Sequence, residues 1–115
     1  MENLTLQLSS DTQYIGKASS IGMGILEGFL FYDVGAKNNE SWKAFIGNPN
    51  ATFELGNYSY LKKIDNGLVL GFQDHWAISD KDEDVLQLTL AQMNYILDKW
   101  QDALQKKPNK IVIIK

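Results

Sequence analysis

Arginine and cysteine are both missing from this chain of 115 residues, and each absence closes off chemistry. All 11 basic side chains are lysine. Arginine is the usual residue for bidentate capture of phosphate, because its planar fork matches two oxygens at once. A chain without it, at a formal net charge of −3, does not read as a nucleic-acid binder. Without cysteine there is no disulfide, no thiolate nucleophile and no zinc–cysteine site. No apolar run approaches the roughly 20 residues needed to span a bilayer. The opening MENLTLQLSS has neither a basic n-region nor an apolar h-region, so no secretory signal is expected. The N-x-[ST] sequons at Asn3, Asn39, Asn50 and Asn57 then read as accidents of an asparagine-rich chain. Together these absences predict a cytoplasmic protein with no membrane partner, no cofactor and no metal.

What is present is ordinary for a folded protein. Hydrophobic residues make up 44% and charged residues 22%, enough for one core in one domain spanning residues 1–115. Leu4, Leu6 and Leu8 alternate with polar residues and predict a half-buried strand. Residues 9–24 read as a loop or a loosely paired segment. ILEGFLFYDVG (25–35), apolar and aromatic on both faces, predicts a long covered strand. GAKNNES reads as a turn, WKAFIG (42–47) as a short strand, and ATFEL as the next strand after the NPN turn. Asn66-Gly67 matches the two positive-φ positions of a type I′ turn and predicts a hairpin between YSYLKKI and LVLGF.

The period then changes. Leu86, Leu90, Met93, Leu97, Trp100 and Leu104 recur at helical spacing, widened by Val85, Ile96 and Ala103. They predict one amphipathic helix of roughly 25 residues. Asp80 with Glu83 fits a capping box, Lys106 and Lys107 suit the negative end of the dipole, and Pro108 stops the helix. KIVIIK (110–115) predicts a final buried strand. The expected fold class is therefore α+β: about six mostly antiparallel strands packed on one long C-terminal amphipathic helix, followed by a final strand.

Several motifs fail on inspection. IGMGILEG (21–28) suggests a dinucleotide loop, but Glu27 stands where the third glycine belongs, and the next segment reads as a strand rather than a phosphate-binding helix. The glycines are expected to let a strand bend or lie close to a neighbour. DKDEDVLQLTLA begins like a calcium loop but has Val85 and Ala91 where glycine and glutamate are required. Asp74, His75 and Ser79 hold the letters of a triad, yet neighbours on an extended segment point apart. His75 reads instead as a half-exposed histidine, or as one whose charge makes partner binding pH-sensitive. Glu27 and Asp33 would lie about 20 Å apart on one strand, at its two solvated ends, too far to share a substrate atom. The chain is not expected to be an enzyme.

The feature that stands out is acidic. Asp74, Asp80, Asp82, Glu83 and Asp84 crowd around Trp76, against a single Lys81. Helix capping explains part of this cluster. The remainder reads as an anionic surface with an aromatic anchor, suited to a basic protein partner. Tyr58 and Tyr60 fall on one strand face and either extend that surface or fill the core. Trp42, Met93 and Trp100 read as core, and Leu88 with Tyr95 as a small exposed patch able to support a homodimer.

A small, acidic, cysteine-free chain that runs through GLVLGFQDHWAISDKDEDVLQLTLAQMNYILDKW into a long helix and a last strand resembles bacterial toxin immunity proteins, including those of contact-dependent growth inhibition. The resemblance lies in architecture and composition and carries over no individual residue. It implies a protein that binds and neutralises one cognate toxin, often a cationic nuclease, as a heterodimer in the producing cell. Two other classes remain open. One is a small-molecule-binding protein or simple enzyme with a pocket between sheet and helix, into which Glu27, Tyr32 and His75 point. The other is an oligomeric structural or adaptor subunit, joined through a strand edge or the Leu88/Tyr95 face.

Overall fold

The computed structural model describes residues 2–11, 13–75 and 85–115. Within them the chain runs β1 (Asn3–Leu8), β2 (Tyr14–Ala18), α1 (Ile21–Gly28) continued by a π-helical stretch (Phe29–Val34), and α2 (Asn39–Gly47). Then come β3 (Phe53–Leu55), β4 (Ser59–Ile64), β5 (Gly67–Phe72), a 3-10 turn (Gln73–His75), β6 (Val85–Leu88), α3 (Leu90–Lys106) and β7 (Lys110–Ile114). The class is α+β with antiparallel pairing and a helix before the last strand, as the sequence predicts. The layering differs. Among the described residues there are two sheets, ordered β2-β1-β7 and β3-β4-β5-β6, and three α-helices rather than one. The first and last strands lie side by side, Asn3 opposite Ile114 and Gln7 opposite Lys110.

The largest correction is at residues 21–34, expected to be loop and strand and found to be helical. Ser20 caps the start, its hydroxyl accepting from the Met23 N–H at 3.2 Å. Met23, Ile25, Leu26, Phe29, Leu30 and Val34 are all fully buried. The reason is position: α1 packs against β1, β2, β5 and β6, strands drawn from both sheets. A helix covered on nearly every side shows no polar face, so its pattern matches that of a covered strand. The IGMGILEG glycines therefore lie inside a helix. Gly28 leaves room for the Tyr58 ring, which occupies the place a Cβ would take. The helix N-terminus is no phosphate cradle either, because Ser20 donates to the Glu2 carboxylate there (2.8 Å).

WKAFIG is helical too. Asn39, Trp42, Phe45 and Ile46 form the buried side of α2, which packs on α3.

The hairpin is present, with Ile64 opposite Gly67. Its two turn residues are Asp65 and Asn66, and neither has a positive φ, so the turn is not type I′. Gly67 stands in the strand instead, with the Leu88 carbonyl where its Cβ would be.

The long helix is shorter than expected and starts later. Leu86 and Leu88 belong to β6, opposite Leu70 and Leu68. VLQLTL fits a two-residue period as well as a helical one, and sheet pairing decides between them. The capping box is Thr89 with Gln92: Thr89 Oγ1 accepts from the Gln92 N–H (3.0 Å), and Gln92 Oε1 accepts from the Thr89 N–H (2.8 Å). It is not Asp80 with Glu83. Met93, Ile96, Leu97, Trp100 and Ala103 make the buried stripe. The helix ends with Lys107 in the left-handed region, before Pro108. Thr89→Ala is expected to cost about 1 kcal/mol of stability in urea denaturation. No change in the midpoint would mean that the cap does not secure α3.

Candidate functional site

Three aromatic rings line up at one end of the four-stranded sheet. Tyr32, from the π-helical stretch, lies 5.6 Å from Tyr58, and Tyr58 lies 5.8 Å from Phe72, centroid to centroid. Tyr32 is 67% exposed. Asn57, Tyr58, Phe72, Gln73 and Asp74 line a shallow depression at the far end of this row. At the near end the row opens into a groove of about 670 Å³ between β2 and the helices, with Tyr14, Gly16, Glu27, Phe31, Tyr32 and Trp100 among its lining residues.

Asp33 builds this face from beneath. Its carboxylate is buried and accepts three backbone N–H groups, from Asn57 (2.6 Å), Tyr58 (3.0 Å) and Ser59 (2.9 Å). Its main-chain carbonyl accepts from the Trp42 indole (3.2 Å) and the Asn38 side chain (3.1 Å). The residue that carries Tyr58 onto the face is thus pinned to the end of the central helix. Gly56 makes the fit possible, since a Cβ there would lie 2.5 Å from the Asp33 carboxyl carbon. The expectation that Glu27 and Asp33 sit at the solvated ends of one strand is overturned. They lie on one continuous helical segment, and Asp33 is fully engaged with main chain.

Glu27 differs from Asp33 in having no such partners. Its carboxylate lies against the β2 backbone at Gly16. Partial burial raises its pKa from the ordinary glutamate value. Tyr58 is pushed up as well, by burial first, then by the charges of Glu27 and Tyr32, so its hydroxyl stays protonated. A raised folded-state pKa means that the protonated form favours folding. That contribution is complete below the unfolded value of about 4.5 and is lost as pH rises through the folded one. Glu27→Gln is therefore expected to melt higher than the parent at pH 7, with the gap closing below pH ~4.5. Equal gaps at both pH values would contradict the burial of this carboxylate.

The residues singled out from sequence are placed as follows. Asp74 is exposed on the 3-10 turn beside Tyr58 and Phe72. His75 ends that turn, its side chain outside the described part. Trp76, Asp80, Asp82, Glu83 and Asp84 lie outside the described residues, as does Ser79. The residues that bracket them do not. Phe72 pairs with Ser59, and Val85 pairs with Gly71, so β5 ends and β6 begins at the end of the sheet that carries the aromatic row. The start of α3 at Leu90, capped by Thr89, also removes the role of capping that helix from Asp80 and Glu83.

Tyr60 does not stand beside Tyr58 on an exposed face, as strand alternation suggests. It is buried, stacks on Phe53 at 6.1 Å and covers Gly71. Tyr58 precedes β4 and turns toward α1 instead. The expected Leu88/Tyr95 patch does not form: Leu88 is buried in β6, and Tyr95 is exposed with the Lys99 ammonium over its ring. Trp42, Met93 and Trp100 are core, as read from sequence. Among the described residues, no three histidine, aspartate or glutamate side chains gather into a metal-binding group. No described helix is long and apolar enough to cross a membrane.

Sequence reasoning misses two residues of the site. Asp33 is marked only by being a lone acid in the apolar run FLFYDVG. Phe72 reads as an ordinary strand residue. Glu27 and Tyr32, named from sequence as inward-pointing pocket residues, do line one groove, although on a helix and not a strand.

No known protein family, no curated protein and no solved structure matches this chain.

Proposed function

We propose that this chain is an immunity-type inhibitor, which binds and neutralises a basic cognate toxin in the cytoplasm as a heterodimer. The observation that carries the proposal is the Tyr32–Tyr58–Phe72 row, flanked by Glu27 and Asp74, at the sheet end where β5 finishes and β6 begins, the two strands that the acidic stretch 76–84 joins in sequence. Aromatic anchors supply contact area at small entropic cost, and surrounding carboxylates select a cationic partner and speed its approach. A nuclease, with its basic cleft for phosphates, is the partner chemistry such a face fits best. A standard interface needs about 800 Å² from each side. That is roughly a ninth of this chain's 6919 Å² of accessible surface.

The test is capture from the source cells on the tagged chain, washed at low and at high salt. The expected result is one stoichiometric basic protein that is lost as ionic strength rises, because charges beyond a Debye length of ~10 Å are screened at 0.1 M salt. A partner that is acidic, or that is indifferent to salt, would refute the charge-complementary face.

The groove favours a second reading, a small-molecule-binding protein or simple enzyme using Glu27 and Tyr32. A metabolite retained at unit stoichiometry through purification would support it over the inhibitor.

A further inference from the structure

The groove beside Tyr32 is chemically specific. Its floor is an edge-to-face pair, Phe31 on Trp100 at 5.4 Å. Two of its polar edges are already engaged: the Trp100 indole donates to the Gly35 carbonyl (2.9 Å), and the Tyr14 hydroxyl donates to the Pro108 carbonyl (2.5 Å). Glu27 is not. Among the described residues its carboxylate accepts no hydrogen bond and pairs with no cation. Lys107 lines the same groove without forming an ion pair with it.

An unpaired, partly buried carboxylate beside aromatic rings adds little to a fold, because it gives up some hydration and gains no partner. It is a good way to hold a cation, which gains a counter-charge and π faces together. An anionic ligand would meet the Glu27 charge, and a neutral apolar one would cover that charge without pairing it. We infer that the groove between β2 and α1 takes a lysine or arginine side chain of the partner protein, its alkyl stem along Phe31, Tyr32 and Trp100 and its charged head on Glu27. This rests on the inhibitor reading for the source of the side chain, but not for the chemistry of the groove.

The experiment separates the two. N-acetyl-arginine amide and N-acetyl-lysine amide are titrated into the ¹⁵N-labelled chain, with the neutral citrulline analogue as control. The amides of Gly16, Glu27 and Gly35 are followed. The expected result is saturable shifts at these positions for both cations, and an affinity at least ~10-fold lower for citrulline, as loss of a charge-assisted hydrogen bond implies. Glu27→Gln should lose the same factor while the rest of its spectrum overlays that of the parent. Shifts that match for citrulline, that persist in Glu27→Gln, or that fall elsewhere on the chain overturn the assignment. If the probes bind as expected but capture yields no basic protein, the groove stands as a cation site and the inhibitor reading falls. If Glu27→Gln leaves the affinity of a captured basic partner unchanged, the groove assignment falls and the inhibitor reading survives.

Discussion

Asp33→Ala is expected to destabilise the protein by about 4 kcal/mol, close to the most that single substitutions usually cost. The substitution leaves the N–H groups of Asn57, Tyr58 and Ser59 without their acceptor, and that of Ser59 is buried. Asp33→Asn keeps the shape but points an amide donor at backbone donors, and should cost about half as much. Gly56→Ala presses a methyl group on the same carboxylate and should move stability in the same direction. Urea denaturation of the three variants measures this. A midpoint for Asp33→Ala within error of the parent would show that the carboxylate does not hold the Asn57–Ser59 backbone. The effect should also reach the face, because Tyr58 is placed by the same bonds. A variant stable enough to study should show Tyr58 displaced relative to Tyr32 in a side-chain NOE spectrum.

Reversing Asp82, Glu83 and Asp84 to lysine is expected to slow association with a basic partner on the order of 100-fold at low salt. Steered and unsteered association rates differ by about that much. The difference should shrink as salt is added. Folding should be indifferent to the change, because α3 is capped by Thr89 and Gln92 and not by this segment. Stopped-flow association at two ionic strengths, beside a thermal melt of the triple variant, tests both halves. Unchanged association would remove the acidic segment from the interface. A large loss of stability would return it to a structural role.

Legibility in the sequence followed contrast between faces. β1 alternates, the β4–β5 hairpin is marked by its Asp-Asn-Gly turn, and the stripe from Met93 to Ala103 has a polar opposite side, so their types can be read directly. Residues 21–34 offer no contrast, because a helix packed by both sheets is apolar all round. VLQLTL satisfies both periods, and its pairing with β5 is a property of the folded chain alone. The site splits in the same way. The acidic cluster is visible as letters close in sequence. The grip of Asp33 on Asn57–Ser59 is not, because its partners are main-chain N–H groups about two dozen residues away and carry no side-chain signature. Glu27 and Tyr32 could be named as pocket residues before their secondary structure was known, since their polarity stands out in an apolar run.

The central claim is neutralisation, and growth reports it most directly. The basic protein captured on the chain is induced in cells with and without this chain, and with a variant combining Glu27→Gln, Tyr58→Ala and the three lysine reversals. The account predicts arrest when the partner is expressed alone, recovery with the parent chain, and arrest again with the variant. Normal growth with the partner alone, or recovery that the variant supports equally well, would contradict it.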